Sequence, residues 1–137
     1  LEGLAAAHGI NAEGRAAVEA AYDLIADHET ALSERLLAYL RDREDVTIVG
    51  DPSSDRAARV PTISFVISGQ SSRETVEAVD PSGIGIRFGD FHSKRLVQGL
   101  DLGDRDGVIR VSAVHYNTLE EMDRLIEQFD SLRRQAA

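Results

Sequence analysis

The stretch GVIRVSAVHYNTLEEMDRLIEQF, residues 107–129, decides the fold because a strand pattern passes directly into a helix pattern. Residues 108–114 alternate between two faces, which is the period of a half-buried strand. The residues on its apolar face are Ile109, Val111 and Ala113. Arg110 lies mid-strand on the opposite face, where burying an unpaired guanidinium is costly. We therefore expect Arg110 either to form a salt bridge within the chain or to bind an anion in a wet cleft.

The second half of the same stretch predicts the last helix of the chain. Thr118 and Glu121 have the three-residue spacing of a capping box. After them, apolar residues recur at the three- and four-residue steps of one helix face, at Leu119, Met122, Leu125, Ile126, Phe129 and Leu132. A strand whose apolar face leads into such an amphipathic helix indicates a sheet with helices packed against it.

The residues upstream of this stretch supply the remaining predicted elements. In chain order we predict a helix at 14–43, strands at 45–50 and 61–68, a helix at 71–79, a strand at 84–88, a short helix near 93–99, a strand at 108–114 and the final helix from 118. This order predicts an α+β fold, with a small sheet of about four strands, helices packed on one of its faces and a long helix before it.

The composition indicates one globular domain and excludes several kinds of partner. A chain of 137 residues, 42% hydrophobic and 28% charged, has room for a single core. Its net charge of −9 repels phosphate backbones and anionic membranes, so we expect neither nucleic acid nor a membrane as partner. No apolar run reaches membrane length and no signal-peptide pattern is present, so we expect a cytoplasmic protein. The chain has no cysteine, which excludes a cysteine nucleophile within it.

The first residues suggest that the chain is a piece of a longer protein. It begins at Leu1, and its single methionine is Met122. Residues 1–13 are small and contain glycine, so we interpret them as a connection to a preceding part of that protein and 14–137 as the domain itself.

Residues 84–96, IGIRFGDFHSKRL, concentrate polar side chains and the only lysine of the chain. The strand alternation predicts that Arg87 points away from the core, like Arg110. The run 90–93 contains Asp, His and Ser, but neighbours in one loop do not easily align as a catalytic triad. Lys94 stands at a helix start, which is more typical of a solvated cation than of a Schiff base.

Three further patterns resemble ligand sites without meeting their requirements, so we predict no metal site. His92 and His115 lack the carboxylate spacing that would support a metal. Residues 101–107, DLGDRDG, lack both a repeated acid and a closing glutamate, so they predict a turn and not a calcium loop. Residues 83–89, GIGIRFG, have their third glycine one position late for a dinucleotide fingerprint.

The stretch 107–129 closely resembles the C-terminal end of class V aminotransferase-fold enzymes that depend on pyridoxal phosphate, especially the cysteine desulfurase-like group. In that group a strand of pattern (V/I)-R-(V/A)-S leads into a Tyr-Asn-Thr helix start and an acidic, leucine-rich helix. The matching positions are Ile109, Arg110, Val111, Ser112, Tyr116, Asn117 and Thr118. The upstream segments ALSERLLAYL, RVPTISFVISG and GIGIRFGDFHSKRL are also similar, so the resemblance covers nearly all of the chain.

The resemblance implies that 14–137 is the C-terminal small domain of a larger, homodimeric enzyme, packed beside a large domain that holds pyridoxal phosphate through a lysine. By the resemblance, Arg110 binds the α-carboxylate of an amino-acid substrate, with Arg87 on the same face of the cleft. The family lysine follows a histidine, whereas Lys94 follows Ser93, so Lys94 is not that lysine. We therefore expect this chain alone to bind no cofactor and to be inactive.

The resemblance stops at the residue that defines a desulfurase. Cysteine desulfurases carry a loop of pattern R-x-G-x-x-C, whose cysteine receives sulfur as a persulfide, and RFGDFHS places His92 at that position. Persulfide chemistry through this loop is therefore not implied, and an aminotransferase, lyase or epimerase of the same fold stays open. His92 is a candidate catalytic acid or base, since the ordinary pKa of histidine is near neutral. The alternative is that His92 is a loop residue with no catalytic role. The alternative function is a stand-alone regulatory or protein-interaction module.

Overall fold

The computed structural model describes residues 1–136. Its elements are α1 (Glu2–Ala7), α2 (Gly14–Arg41), β1 (Val46–Ile48), β2 (Thr62–Ile67), α3 (Ser72–Val79), β3 (Arg87–Gly89), α4 (Lys94–Gly99), β4 (Val108–Ser112) and α5 (Leu119–Ala136), with short 3-10 turns at Asp80–Ser82 and Gly103–Arg105. The four strands form one antiparallel sheet in the order β1-β2-β4-β3. The predicted α+β fold is confirmed, including the long helix that precedes the sheet.

The main core lies between one face of the sheet and the helices α2, α3 and α5. Alternation brings Ile63 and Phe65 of β2 and Ile109 and Val111 of β4 to this face, and all four are buried. The rings of Phe65 and Phe129 meet edge to face, with centroids 5.7 Å apart, so β2 and α5 are joined by an aromatic contact. The predicted apolar faces of both strands are therefore correct.

Both predicted capping boxes form. The Ser71 hydroxyl accepts a hydrogen bond from the Glu74 N–H at 3.1 Å, and the Glu74 carboxylate accepts one from the Ser71 N–H at 3.3 Å. The same reciprocal pair joins Thr118 and Glu121, at 3.2 and 2.9 Å. Hydrogen bonds from the Thr118 backbone and the Asn117 side chain lower the pKa of the Glu121 carboxyl. Local hydrogen-bond chemistry thus fixes where α3 and α5 begin.

The third strand begins later than the apolar pattern predicts. Ile86 is buried as expected, but pairing with β4 starts only at Arg87. Periodicity reports which residues are buried, whereas the bounds of a strand depend on hydrogen-bonded pairing. The pattern therefore predicted the face of β3 correctly and its start incorrectly.

The start of β4 requires a glycine. Gly107 has φ of 80°, and a Cβ at this position would lie 2.3 Å from the carbonyl oxygen of Gly89 at the end of β3. No side chain fits so close to another backbone. Residues 101–107 accordingly form a turn against the sheet, as predicted.

The second face of the sheet is covered at one end only. Val66 and Val108 belong to this face by alternation and are nevertheless buried, as is Val97 of α4. Arg105 donates a hydrogen bond to the carbonyl of Ile67 at 3.4 Å, which attaches the segment after α4 to the end of β2. The segment that contains α4 therefore shields this end of the face.

Residues 1–13 contain a helix that packs against the rest of the chain. Ala5 of α1 and Ala17 and Ala21 of α2 are fully buried, and the Glu2 carboxylate accepts a hydrogen bond from the Gly14 N–H at 3.1 Å. The interpretation of this segment as a connection stays a prediction. Although α2 has 28 residues, no helix within the described part of the chain is both long and apolar enough to cross a bilayer.

Candidate functional site

Two arginines lie opposite each other on the sheet face that points away from the main core. The register of β3 and β4 pairs Arg87 with Arg110, and the register of β2 and β4 pairs Arg110 with Ser64. Residues directly opposed on antiparallel strands share a face, with Cβ atoms about 5 Å apart. Arg110 is half-buried and Arg87 is exposed. We call Arg87 and Arg110 the sheet-face row.

Neither arginine of the sheet-face row forms a salt bridge within residues 1–136. Arg87 donates a hydrogen bond only to the carbonyl of its neighbour Ile86, at 2.7 Å. Like charges opposed across a strand pair repel each other, so this arrangement is unfavourable without an anion beside it. We expected Arg110 either to form a salt bridge within the chain or to bind an anion. The described residues form no such salt bridge, and the position of Arg110 is compatible with anion binding.

Phe91 covers Arg110, a contact that the sequence reasoning missed. The Arg110 Cζ lies over the Phe91 ring, 3.7 Å from its centroid, which is a cation–π contact. Phe91 and the following His92 have φ of 49° and 66°, in the left-handed region that bulky residues rarely adopt. The sequence offered one signal for this contact: Asp90, a residue type that favours turns, directly precedes the aromatic Phe91.

Asp90 stabilises that turn through the backbone. Its carboxylate accepts a hydrogen bond from the His92 N–H at 3.0 Å, and its carbonyl accepts one from the Ser93 N–H at 2.8 Å. No hydrogen bond joins the side chains of Asp90, His92 and Ser93 to one another in the described structure. The three residues therefore do not have the geometry of a catalytic triad.

The other candidates are dispersed. Lys94 is exposed at the first residue of α4 and is outside every salt bridge of the described chain. His115 lies in another loop, with its Nδ1 4.0 Å from the Glu29 carboxylate. Between residues 1 and 136, no group of three or more histidine, aspartate or glutamate residues is placed to hold a metal ion.

A different arginine, Arg43, lies two residues after the end of α2 and is fully partnered. It donates two hydrogen bonds to the Asp45 carboxylate, at 3.1 and 2.7 Å, and one to the Tyr39 hydroxyl at 2.5 Å. The Tyr39 hydroxyl donates in turn to Asp130 of α5 at 2.8 Å. Burial, followed by the bond to Asp130, raises the pKa of Tyr39 to about 12, and the bonds from Arg43 lower the pKa of Asp45. This cluster joins α2 to α5 and has a structural role.

Comparisons with known proteins identify the family. The model for class-V aminotransferases matches residues 4–125. An aminotransferase-like protein of Gibberella zeae is 53% identical over 107 residues, which cover 77% of this chain and 26% of the relative. A probable cysteine desulfurase of Pseudomonas putida is 34% identical over 106 residues, which cover 77% of this chain and 24% of the relative. The chain thus spans about a quarter of the length of these two relatives.

The fold comparison agrees with the sequence comparison. A solved cysteine desulfurase from Thermococcus onnurineus superposes on this chain with a TM-score of 0.73 at 22% identity, over 86% of this chain and 28% of that one. At this identity the likeness shows a shared fold. Because the family model matches most of the chain, the protein belongs to the aminotransferase class-V family.

Proposed function

We propose that this chain is the C-terminal small domain of a pyridoxal-phosphate-dependent class V enzyme acting on an amino acid, in which Arg110 binds the α-carboxylate of the substrate. The observation that carries the proposal is the sheet-face row, two adjacent arginines without a carboxylate partner in the described chain. A guanidinium presents a planar fork of donors that matches a carboxylate in two hydrogen bonds. An amino-acid carboxylate is the anion that best fits such a site in this family.

The surroundings of Arg110 support this role. Its backbone is held between two neighbouring strands, so the side chain starts from a rigid position. Arg110 is half-buried, and reduced contact with water strengthens a charge-assisted hydrogen bond. Arg87, directly opposite, adds a second positive charge on a chain whose net charge is −9. The row therefore forms a local positive site on an acidic protein, and Arg87 assists substrate binding there.

The residues of this chain do not fit the cofactor. When bound, pyridoxal phosphate would withdraw electrons from the α-carbon of the amino acid, and a lysine of the enzyme would hold the cofactor. The single lysine of the chain, Lys94, is exposed, and no hydrogen bond or ion pair of the described residues holds it. We therefore place the cofactor lysine and the phosphate site in a large domain outside this chain. We expect the chain alone to bind no cofactor and to be inactive, and this stays a prediction.

His92 is our candidate acid or base near the substrate. It is exposed and follows Phe91, whose ring lies on Arg110, so it belongs to the loop that contacts the proposed carboxylate site. A histidine at this position cannot carry a persulfide, which argues against sulfur transfer through this loop. An aminotransferase, lyase or epimerase reaction is compatible with the same site.

The family match does not favour the alternative of a stand-alone interaction module. The homodimeric state and cytoplasmic location of the enzyme stay predictions.

The proposal is tested by replacing Arg110 in the full-length protein loaded with pyridoxal phosphate. Arg110→Ala should weaken the binding of amino acids, followed through the cofactor absorbance, by about 100-fold, equivalent to about 2.7 kcal/mol. Arg110→Lys should recover part of that loss, because it restores the charge without the fork. Arg56→Ala is the matched control, since Arg56 already pairs with Asp23 and Asp27. Unchanged binding in Arg110→Ala, or a full-length protein that takes up no cofactor, would contradict the proposal.

A further inference from the structure

The turn at residues 90–93 places a bulky residue in a conformation that such residues avoid. Phe91 has φ of 49° and His92 has φ of 66°. For residues other than glycine and asparagine, the left-handed region brings Cβ too close to the backbone, so such positions persist only where other contacts hold them. The two hydrogen bonds that Asp90 accepts hold the backbone of the turn. They do not explain why the residue in it is a phenylalanine.

The contact that the phenylalanine makes supplies the explanation. Its ring lies at contact distance under the Arg110 guanidinium, with 3.7 Å between the ring centroid and Cζ. The face of an aromatic ring is electron-rich and attracts a cation. This attraction acts on the arginine that faces the like charge of Arg87 across the strand pair. The turn therefore brings an aromatic face to the one guanidinium of the sheet-face row that is half-buried.

This contact is compatible with carboxylate binding. All five N–H donors of a guanidinium lie in its plane, whereas the ring covers its face. A carboxylate that approaches along the plane meets the donors without displacing the ring. The ring also limits the directions in which the long arginine side chain can turn, so less freedom is lost when the anion binds.

We propose that Phe91 is a positioning residue, which holds the Arg110 guanidinium so that its donor edge is ready for the substrate carboxylate. The inference rests on the proposed function of Arg110 and adds a second residue to that site. Phe91 acts through Arg110 and not on the reacting atoms. Its effect is therefore confined to ligands that carry a carboxylate.

The test compares two small reagents in the full-length protein loaded with pyridoxal phosphate. Aminooxyacetate carries a carboxylate, and methoxyamine is the same reagent without it. In the loaded protein both would attack the cofactor carbon that is bonded to the lysine nitrogen, release the lysine amine and change the absorbance. Phe91→Leu should slow the reaction with aminooxyacetate about fivefold, the expected worth of one cation–π contact, and leave methoxyamine unchanged. Phe91→Tyr keeps the aromatic face and should stay within about twofold of the natural protein.

A second variant separates loss of the ring from loss of the turn. Phe91→Gly removes the ring but suits a positive φ, so it should fold at least as well as the natural protein and lose the same preference for aminooxyacetate. In an Arg110→Ala background, Phe91→Leu should have no further effect, because the residue through which it acts is gone. A further loss of similar size in that background would show a general structural role and overturn the inference.

The same variants distinguish a wrong role for Phe91 from a wrong role for Arg110. If Arg110→Ala removes the preference for aminooxyacetate while Phe91→Leu and Phe91→Gly keep it, Arg110 binds the carboxylate and Phe91 does not position it. If Arg110→Ala itself keeps the preference, the proposed function fails and this inference falls with it.

Discussion

Two groups of arginines in this chain occupy contrasting environments. Around the loop at 51–61 they are satisfied by the chain itself: Arg56 pairs with Asp23 and with Asp27 of α2, the latter at 2.8 Å. On the sheet face, Arg87 and Arg110 have no such partner among residues 1–136. Arginine therefore attaches the loop at 51–61 to α2 in one region, whereas on the sheet face its guanidinium donors stay available to a ligand.

Arg59 shows how complete the pairing is in the first region. It donates hydrogen bonds to the carbonyls of Asp51 and Thr62, both at 2.6 Å, so it joins the loop to the start of β2. Burial lowers the pKa of Arg59, and the carbonyl acceptors compensate for the lost contact with water. The sheet-face row differs from this region because its two arginines lack acidic partners among the described residues and also face each other across neighbouring strands.

The largest effect on stability is expected where an arginine is both buried and paired. The Arg43 side chain is only 6% exposed, and its partner Asp45 is 35% exposed. Arg43→Met keeps most of the apolar stem and removes the charge, which should lower the free energy of unfolding by about 2 kcal/mol. The cost stays below that of a fully buried pair because water can reach the remaining carboxylates. Urea denaturation measures the change, and a loss under about 0.5 kcal/mol would mean that the cluster contributes little to the stability of the contact between α2 and α5.

A smaller, pH-dependent effect is expected from Tyr39 in the same cluster. Its pKa rises from an ordinary value of 10 to about 12 in the folded protein, chiefly through burial. A raised folded pKa contributes stability that is complete below pH 10 and is lost as the pH rises toward 12. Tyr39→Phe cannot ionise, so its urea midpoint should fall less between these pH values than that of the natural protein. Equal losses in the two proteins would argue against the raised pKa.

The sheet-face row should contribute least to stability. Arg110→Ala removes the contact with Phe91 but also relieves the repulsion by Arg87, so its net effect should lie within about 0.5 kcal/mol of zero. The same substitution should weaken carboxylate binding by about 100-fold. A loss of stability as large as that in Arg43→Met would place Arg110 among the structural arginines and end the contrast between the two regions.

The parts of the fold that follow from local rules were predictable from the sequence. Alternation in β2 and β4 reports burial directly, so it placed Ile63 and Phe65 in the core and Arg110 on the other face. The capping boxes were predictable because both partners lie within four residues of each other. The start of β3 at Arg87 was missed, since pairing with a distant strand sets it.

The candidate site was predictable only in part. The strand pattern placed Arg87 and Arg110 on one face, but it could not show that each lacks an acidic partner, because that depends on every segment packed nearby. Phe91 was missed because its contact requires a backbone turn with positive φ, which apolar periodicity does not encode. The resemblance suggested the proposed role of Arg110, and the structure added the neighbours Arg87 and Phe91 from which that proposal is argued.

The most direct test of the central claim is a crystal structure of the full-length protein with pyridoxal phosphate and an amino acid bound. We predict that both carboxylate oxygens of the amino acid lie about 2.7–3.0 Å from guanidinium nitrogens of Arg110, with Phe91 still against its face. A carboxylate held by other residues, with Arg110 paired to an acid from the remainder of the protein, would contradict the account.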